Sequence, residues 1–292
     1  MRLIATMPVR NEAWCLGLTL RASLLWCDEV IVLMHECNDA SGDIIEAVIR
    51  EEDRGRVTVL RASGDWTEMQ HRESMLLKAR EHKATHIAIV DADEVLSGNI
   101  NRDDARAFCD VSAQQIVQYP LYNLRGSLDR YHASGIWSGK STCLAFRDDP
   151  HLSWALCGDR FHHRHPHGMT LTPVLPLRRP GGILHLWGAS ERRLRAKHAL
   201  YKITERLRWP AKPVRHIEEK YNWAIYGDFK NSNYGTPATW TYAPIPVEWW
   251  QPYAKWLRHV DIESVPWQEA EVRQLVRLHP GVEAGFDLFG IT

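Results

Sequence analysis

The sequence predicts an α/β protein built on a mostly parallel sheet flanked by helices. Three observations carry that expectation. Short apolar runs alternate with helix-length segments over the first hundred residues, a polar cluster follows each of the first four runs, and a Trp-rich stretch of mainly helical pattern closes the chain. Residues 3–9 are the first apolar run, and Asn11 is placed to cap an amphipathic helix over 12–26. Residues 29–34 form a second buried strand, and after Asn38-Asp39-Ala40-Ser41-Gly42 a helix covers 43 to about 53. A third strand (56–61) leads to a helix over 67–82 that turns Met69, Met75, Leu76 and Leu77 to the core, and 85–90 is the fourth strand. Strands alternating with helices at this spacing imply right-handed crossovers. Further on, 101–111 reads as a helix, 115–119 as a strand, 122–180 as short strands and loops, and 183–187 as another short strand. Ser190 caps a charged helix to about Arg208 that Trp209-Pro210 closes, and the tail carries helices at 248–259 and 268–278.

A chain of 292 residues that is 45% hydrophobic can bury a large core. Lys plus Arg and Asp plus Glu are equal at 36 each, so no global field recruits nucleic acid or an anionic membrane. No apolar stretch approaches the roughly 20 residues that span a bilayer, and the segment before Pro8 is too short for a signal peptide. Cys15, Cys27, Cys37, Cys109, Cys143 and Cys157 are far apart, without a C-x-x-C pair, and read as core residues of a reduced, cytoplasmic protein. The 13 Trp suit either core packing or stacking on a sugar ring.

The fourth strand ends in Asp91-Ala92-Asp93-Glu94. Alternation puts Asp91 and Asp93 on one side of an extended backbone, and hard oxygen ligands suit Mg²⁺ or Mn²⁺, which can bridge to a diphosphate. In parallel sheets ligands bind beyond the carboxyl ends of the strands. Arg10-Asn11-Glu12, Asn38-Asp39, Ser63-Gly64-Asp65-Trp66 and Asp91-Ala92-Asp93 all fall there, which converts a short acidic motif into a candidate binding site.

The order Met7-Pro8-Val9-Arg10-Asn11-Glu12, Asn38-Asp39-Ala40-Ser41-Gly42-Asp43, Asp91-Ala92-Asp93-Glu94 resembles the family 2 glycosyltransferases of GT-A fold, a Rossmann-like nucleotide-diphospho-sugar transferase architecture. The likeness covers about the first hundred residues and continues more weakly through Ile183-Leu184-His185-Leu186-Trp187-Gly188. It implies a catalytic domain over 1–209, with 1–100 as the nucleotide-binding half and 101–209 as the acceptor half, and a helical extension over 210–292 packed upon it. Pro8, Arg10 and Glu12 would border the nucleotide, and Asp39 would bond to the base or ribose. Arg72 is a candidate phosphate or base contact, its alternative being an exposed helix arginine paired with Glu68 at i−4. Arg10 stands where the family more often has an aromatic or small residue. Asp93 would bind Mn²⁺ or Mg²⁺, with Asp91 on the ribose or a metal-bound water, and His185 completing the shell.

The implied reaction is metal-dependent inverting transfer of a sugar from a nucleotide diphosphate sugar, a UDP-sugar above all, to an acceptor hydroxyl. It needs a base on the acceptor side. The segment from Trp154 to His167 supplies Asp159 as first choice and His163 as rival; with Cys157 the same cluster could instead be read as zinc ligands, although the spacing is not that of a structural site. Arg192, Arg193, Arg195 and Lys197 could contribute one diphosphate contact. The acceptor could be a glycan, a lipid-linked sugar, a small molecule or a modified nucleic acid, and no obligate protein partner is implied. A nucleotidyltransferase would need a Gly-rich basic loop after the first strand, which is absent. A non-catalytic carbohydrate-binding relative would have no need of Asp39, Asp91 and Asp93.

Overall fold

A computed structural model describes the chain except for residues 53–54, 114, 161–162, 173–179, 228–236 and 292. The first half runs β1 (Leu3–Val9), α1 (Ala13–Trp26), β2 (Glu29–His35), α2 (Ser41–Glu52), β3 (Val57–Ala62), α3 (Glu68–Glu81), β4 (His86–Ile89), β5 (Glu94–Leu96) and α4 (Arg102–Cys109). It continues with β6 (Gln115–Asn123), β7 (Arg130–His132), β8 (Lys140–Arg147), β9 (Thr170–Thr172) and β10 (Ile183–His185). The rest comprises α5 (Glu191–Arg208), α6 (Val214–Tyr226), β11 (Tyr242–Pro244), α7 (Val247–Trp250), α8 (Ala254–Leu257) and α9 (Trp267–Leu278).

Among the described residues, a mixed sheet has the order β3-β2-β1-β4-β8-β6-β10-β5, with β9 beside β6. The four strands β3, β2, β1 and β4 are parallel, as the alternating pattern implies, and β8 is antiparallel to both β4 and β6. Two-residue alternation feeds a core on each face. Leu3, Ala5, Met7 and Val9 join Val30, Val32 and Leu16, Leu20 and Leu24 of α1 on one side. Ile4, Ile31, Leu33, Ile87 and Ile89 join Met75, Leu76 and Ala79 of α3 on the other. The α/β class, the helical flanks and the helix-rich, Trp-bearing C-terminal part are all present.

The chain divides into two compact units. The first comprises 1–121, 140–184 and 246–260; the second comprises 122–139, 185–245 and 261–292. In the second, β7 and β11 form a separate antiparallel ribbon, and Ala196, Ala199 and Ile203 of α5 share a core with Val272 of α9, Leu288 and Ile291.

Several elements depart from the sequence expectation. Asn11 is not the cap of α1: it sits at φ 55° and turns its side chain to the loop after β2, leaving Glu12 at the cap position without a side-chain cap bond. Leu77 is 49% exposed, because Met75, Leu76 and Ala79 already occupy the inward arc of α3. The helix expected at 248–259 is broken into α7, a 3₁₀ turn and α8, with Pro252 inside the turn. The strand expected at 183–187 yields to a 3₁₀ turn after His185. By contrast Ser190 does cap α5, accepting from the Arg193 amide. No described helix is long and apolar enough to cross a membrane, and none of the six cysteines is paired.

Candidate functional site

The carboxyl ends of β1 and β2 are stitched together by short polar side chains. Asn11 Oδ1 accepts from the amides of Asn38 (2.8 Å) and Asp39 (3.2 Å). Asp39 in turn accepts from the amide of Ser41 through Oδ1 and from that of Ala13 through Oδ2, both at 2.9 Å. The Glu12 amide donates to Ser41 Oγ at 3.1 Å. This exposed carboxylate therefore lies at the starts of both α1 and α2, where the helix dipoles favour negative charge. Asparagine suits position 11 because its short amide tolerates the left-handed backbone region. Pro8 and Arg10 are half-buried on the same strand end, and Glu12 Oε2 accepts from Trp14 Nε1 at 2.5 Å.

One strand away, the turn after β4 gathers four carboxylates and two guanidinium groups. Arg72 is buried on α3 rather than exposed; its Nε donates to Glu68 Oε1 at 3.1 Å and its Nη2 to Asp91 Oδ1 at 3.2 Å. Arg72 Nη1 is buried with no hydrogen-bond partner among the described residues. Arg164 enters from the opposite direction. It donates to Asp91 Oδ2 (2.8 Å), to both oxygens of Glu94 (2.6 and 2.8 Å) and to the Ile89 carbonyl (3.1 Å). Glu94 also accepts from the Asp91 amide, closing the turn. Burial alone would depress the Arg164 pKa, but Asp91 and Glu94 outweigh it and hold the group above its ordinary value. Asp91 thus faces a guanidinium on each oxygen, and Asp93 is 5% exposed. Nothing in the spacing pointed to Arg164; a surplus of carboxylates at 91–94 was the sole hint that a cation had to come from elsewhere.

The expected acceptor-side segment is anchored at its start, where Glu73 Oε2 accepts from the amides of Trp154 and Ala155 and from Ser153 Oγ. Asp159 is exposed. His163 is half-buried with its ring 4.3 Å from that of His165; burial lowers its pKa, reinforced by His165 and Arg160. Glu68 and Arg72 also act on His163 electrostatically, which puts it in the field of the Asp91 cluster. Phe161 and His162 lie outside the described residues. Burial pushes the Cys157 thiol up, against the thiolate that zinc requires, and among the described residues no group of three or more His, Cys, Asp or Glu is arranged to hold a metal ion.

An aromatic cluster without a local sequence signature joins His35, Trp66 and His71, which pack ring to ring at the ends of β2 and β3 and the start of α3, with centroids 4.7–5.1 Å apart. Burial, reinforced by His35, drives the His71 pKa down to about 4.

In the second unit, His185 Nδ1 lies 3.0 Å from Asn123 Oδ1, which also accepts from Trp187 Nε1 at 3.0 Å. Because Asn123 Nδ2 donates to the Trp137 carbonyl, the amide orientation is set, and neutral His185 must carry its proton on Nδ1. Its Nε2 then bears the lone pair, the tautomer a metal ligand needs. Arg192 forks onto Glu269 and Arg193 donates to Ser264, so both cations have acceptors within their own unit. Trp240 is buried, whereas Trp223 is 42% exposed.

No family model matches the sequence, and no curated protein matches it either. Solved structures do. Residues 1–349 of S. aureus TarS align over 97% of this chain and 86% of that one, at 16% identity and a TM-score of 0.40. The same protein in complex with UDP-GlcNAc aligns over 97% and 86%, at 16% identity and a TM-score of 0.38. Glucosyl-3-phosphoglycerate synthase from Mycobacterium tuberculosis, with Mn²⁺, UDP and glucosyl-3-phosphoglycerate, aligns over 42% and 43%, at 13% identity and a TM-score of 0.29.

Proposed function

We propose that this chain is a GT-A glycosyltransferase of the family 2 type, moving a sugar from a nucleotide diphosphate sugar to an acceptor hydroxyl with inversion. The observation that carries the reading is the lineup along one edge: Asn11 and Asp39 after β1 and β2, and Asp91 to Glu94 after β4, all at the carboxyl ends of adjacent parallel strands. Asp39, with carboxylate oxygens as acceptors, suits a base N–H or ribose hydroxyls; Pro8, Arg10 and Glu12 border it. Arg72 Nη1, a buried donor, suits a phosphate oxygen.

The donor set also fits a divalent cation. In this reading the hard carboxylate oxygens of the Asp91 to Glu94 turn suit Mn²⁺ or Mg²⁺, which takes few protein ligands when a diphosphate supplies the others. Asp93 is the direct ligand in this reading, whereas His185, expected as a further one, belongs to the second unit. The chemistry supplied by such an ion is Lewis-acid neutralisation of the departing diphosphate. His163, kept neutral by its lowered pKa, can accept the proton of the acceptor hydroxyl, as can Asp159.

The test is thermal stabilisation by a panel of nucleoside diphosphates with and without Mn²⁺. Stabilisation by UDP that grows with Mn²⁺ is the expected outcome; no response to any nucleotide sinks the reading.

A further inference from the structure

We infer that Arg164 is a positioning residue that ties residues 163–168 to the Asp91 to Glu94 turn and so holds the acceptor-side His163 in place. The inference rests on the function proposed above and extends it to a residue with no assigned role.

The geometry is that of a planar fork. Arg164 Nη1 and Nη2 meet Glu94 Oε1 and Oε2 side by side, while the same two nitrogens reach Asp91 Oδ2 and the last carbonyl of β4. Four acceptors, belonging to Ile89, Asp91 and Glu94, are thereby fixed by one side chain 70 to 75 residues away. Lysine carries a point charge and cannot reproduce two parallel bonds. Glu94 is 1% exposed, so its charge depends on this partner.

The position of Arg164 in its loop gives the link its meaning. It directly follows His163, and the next residue, His165, is anchored through its carbonyl to Cys157 Sγ at 3.8 Å. The loop leaves and returns through Gly158 (φ 70°) and Gly168 (φ 91°), both in the left-handed region where glycine is at ease. Among the described residues, the guanidinium fork attaches this part of the chain to the end of β4 by charge-assisted bonds. Weakening it lets His163, the residue before Arg164, shift, and a misplacement on the order of 1 Å can cost about a hundredfold in rate.

A merely structural role, neutralising Glu94, makes a different prediction, and two variants separate them. Arg164→Lys keeps the charge and loses the fork. The double variant Arg164→Met/Glu94→Gln removes both charges and leaves no buried ion alone. Three properties are read on each: amide hydrogen exchange over 163–168, affinity for UDP with Mn²⁺ by calorimetry, and UDP release from a panel of UDP-sugars. The positioning role predicts, for both variants, exchange at least about tenfold faster over 163–168 and UDP release at least about tenfold slower, with UDP affinity within about threefold of wild type. The double variant should regain the wild-type unfolding midpoint while keeping those defects. Wild-type exchange and turnover in the double variant would overturn the inference. Should wild type bind no nucleotide at all, the proposed function fails by itself, and the exchange measurement still decides whether Arg164 holds the loop: faster exchange supports the tie, unchanged exchange in both variants refutes it.

Discussion

The side chain of Asn11 accepts a hydrogen bond from the amide of Asp39 at 3.2 Å, so the loops after β1 and β2 are joined by one short side chain. Asn11 does this from a left-handed backbone (φ 55°) that alanine adopts only at a cost of about 1–2 kcal/mol. Asn11→Ala should therefore destabilise the protein by about 2 kcal/mol, combining strain with lost bonds, whereas Asn11→Gly should lose about 1 kcal/mol. Urea unfolding of both variants checks the order. An equal loss in the two would mean that backbone strain plays no part.

Asp93→Asn preserves shape in a buried position and removes one negative charge. Turnover should fall at least about a hundredfold, with a thermal midpoint close to that of wild type and loss of the Mn²⁺-dependent part of nucleotide binding. Unimpaired turnover in a panel of UDP-sugars would count against a metal role for this residue.

His71 sets a pH dependence whose sign is fixed. Its native pKa, about 4, lies below the ordinary 6.5, so between those values the unfolded chain binds a proton that the native state does not. Stability from this group is present above about pH 6.5, falls as the pH drops through that window, and is fully lost below about 4. His132 in the second unit, buried and also lowered to about 4, acts in the same direction. His71→Phe should flatten the decline of stability between pH 6.5 and 4 by on the order of 2 kcal/mol. Denaturation curves at several pH values provide the measurement, and an unchanged slope would contradict the assignment.

Asn123→Leu removes the acceptor that orients His185 and receives Trp187 Nε1. The variant should destabilise the protein by about 1–3 kcal/mol, the usual cost of leaving a buried donor unpaired. Urea unfolding reads this directly; an unchanged midpoint would leave Asn123 without a bonding role.

The first four strands were legible because β1, β2 and β4 are buried runs and β3 a half-buried apolar one, with alternate residues feeding opposite faces, as Leu3, Ala5 and Met7 do against Ile4. The helix over 214–226 and the long strand 140–147 were harder. The first begins after Pro213 without a side-chain cap bond, and the second merges with a stretch of loop composition despite its flanking Gly139 and Asp148. At the site, Asp39, Asp91 and Asp93 announced themselves through position at strand ends. Arg164 did not, because a bond spanning seventy or more residues leaves no local pattern. Asn11 misled for a related reason: its amide can serve a helix start or a neighbouring loop, and only the tertiary arrangement selects between them.

The first unit draws in residues 246–260, and the junction is specific: Tyr253 hydroxyl donates to the Leu96 carbonyl at 2.7 Å, and the Gly98 amide donates to the Trp249 carbonyl at 2.8 Å. A nascent chain emerging from the ribosome therefore cannot complete this unit until residue 260 has been synthesised. Leu96 and Gly98, just past the acidic turn, wait throughout translation for partners some 150 residues downstream. Premature stop products would carry every carboxylate of the proposed nucleotide site yet leave that stretch of backbone open to chaperones and proteases.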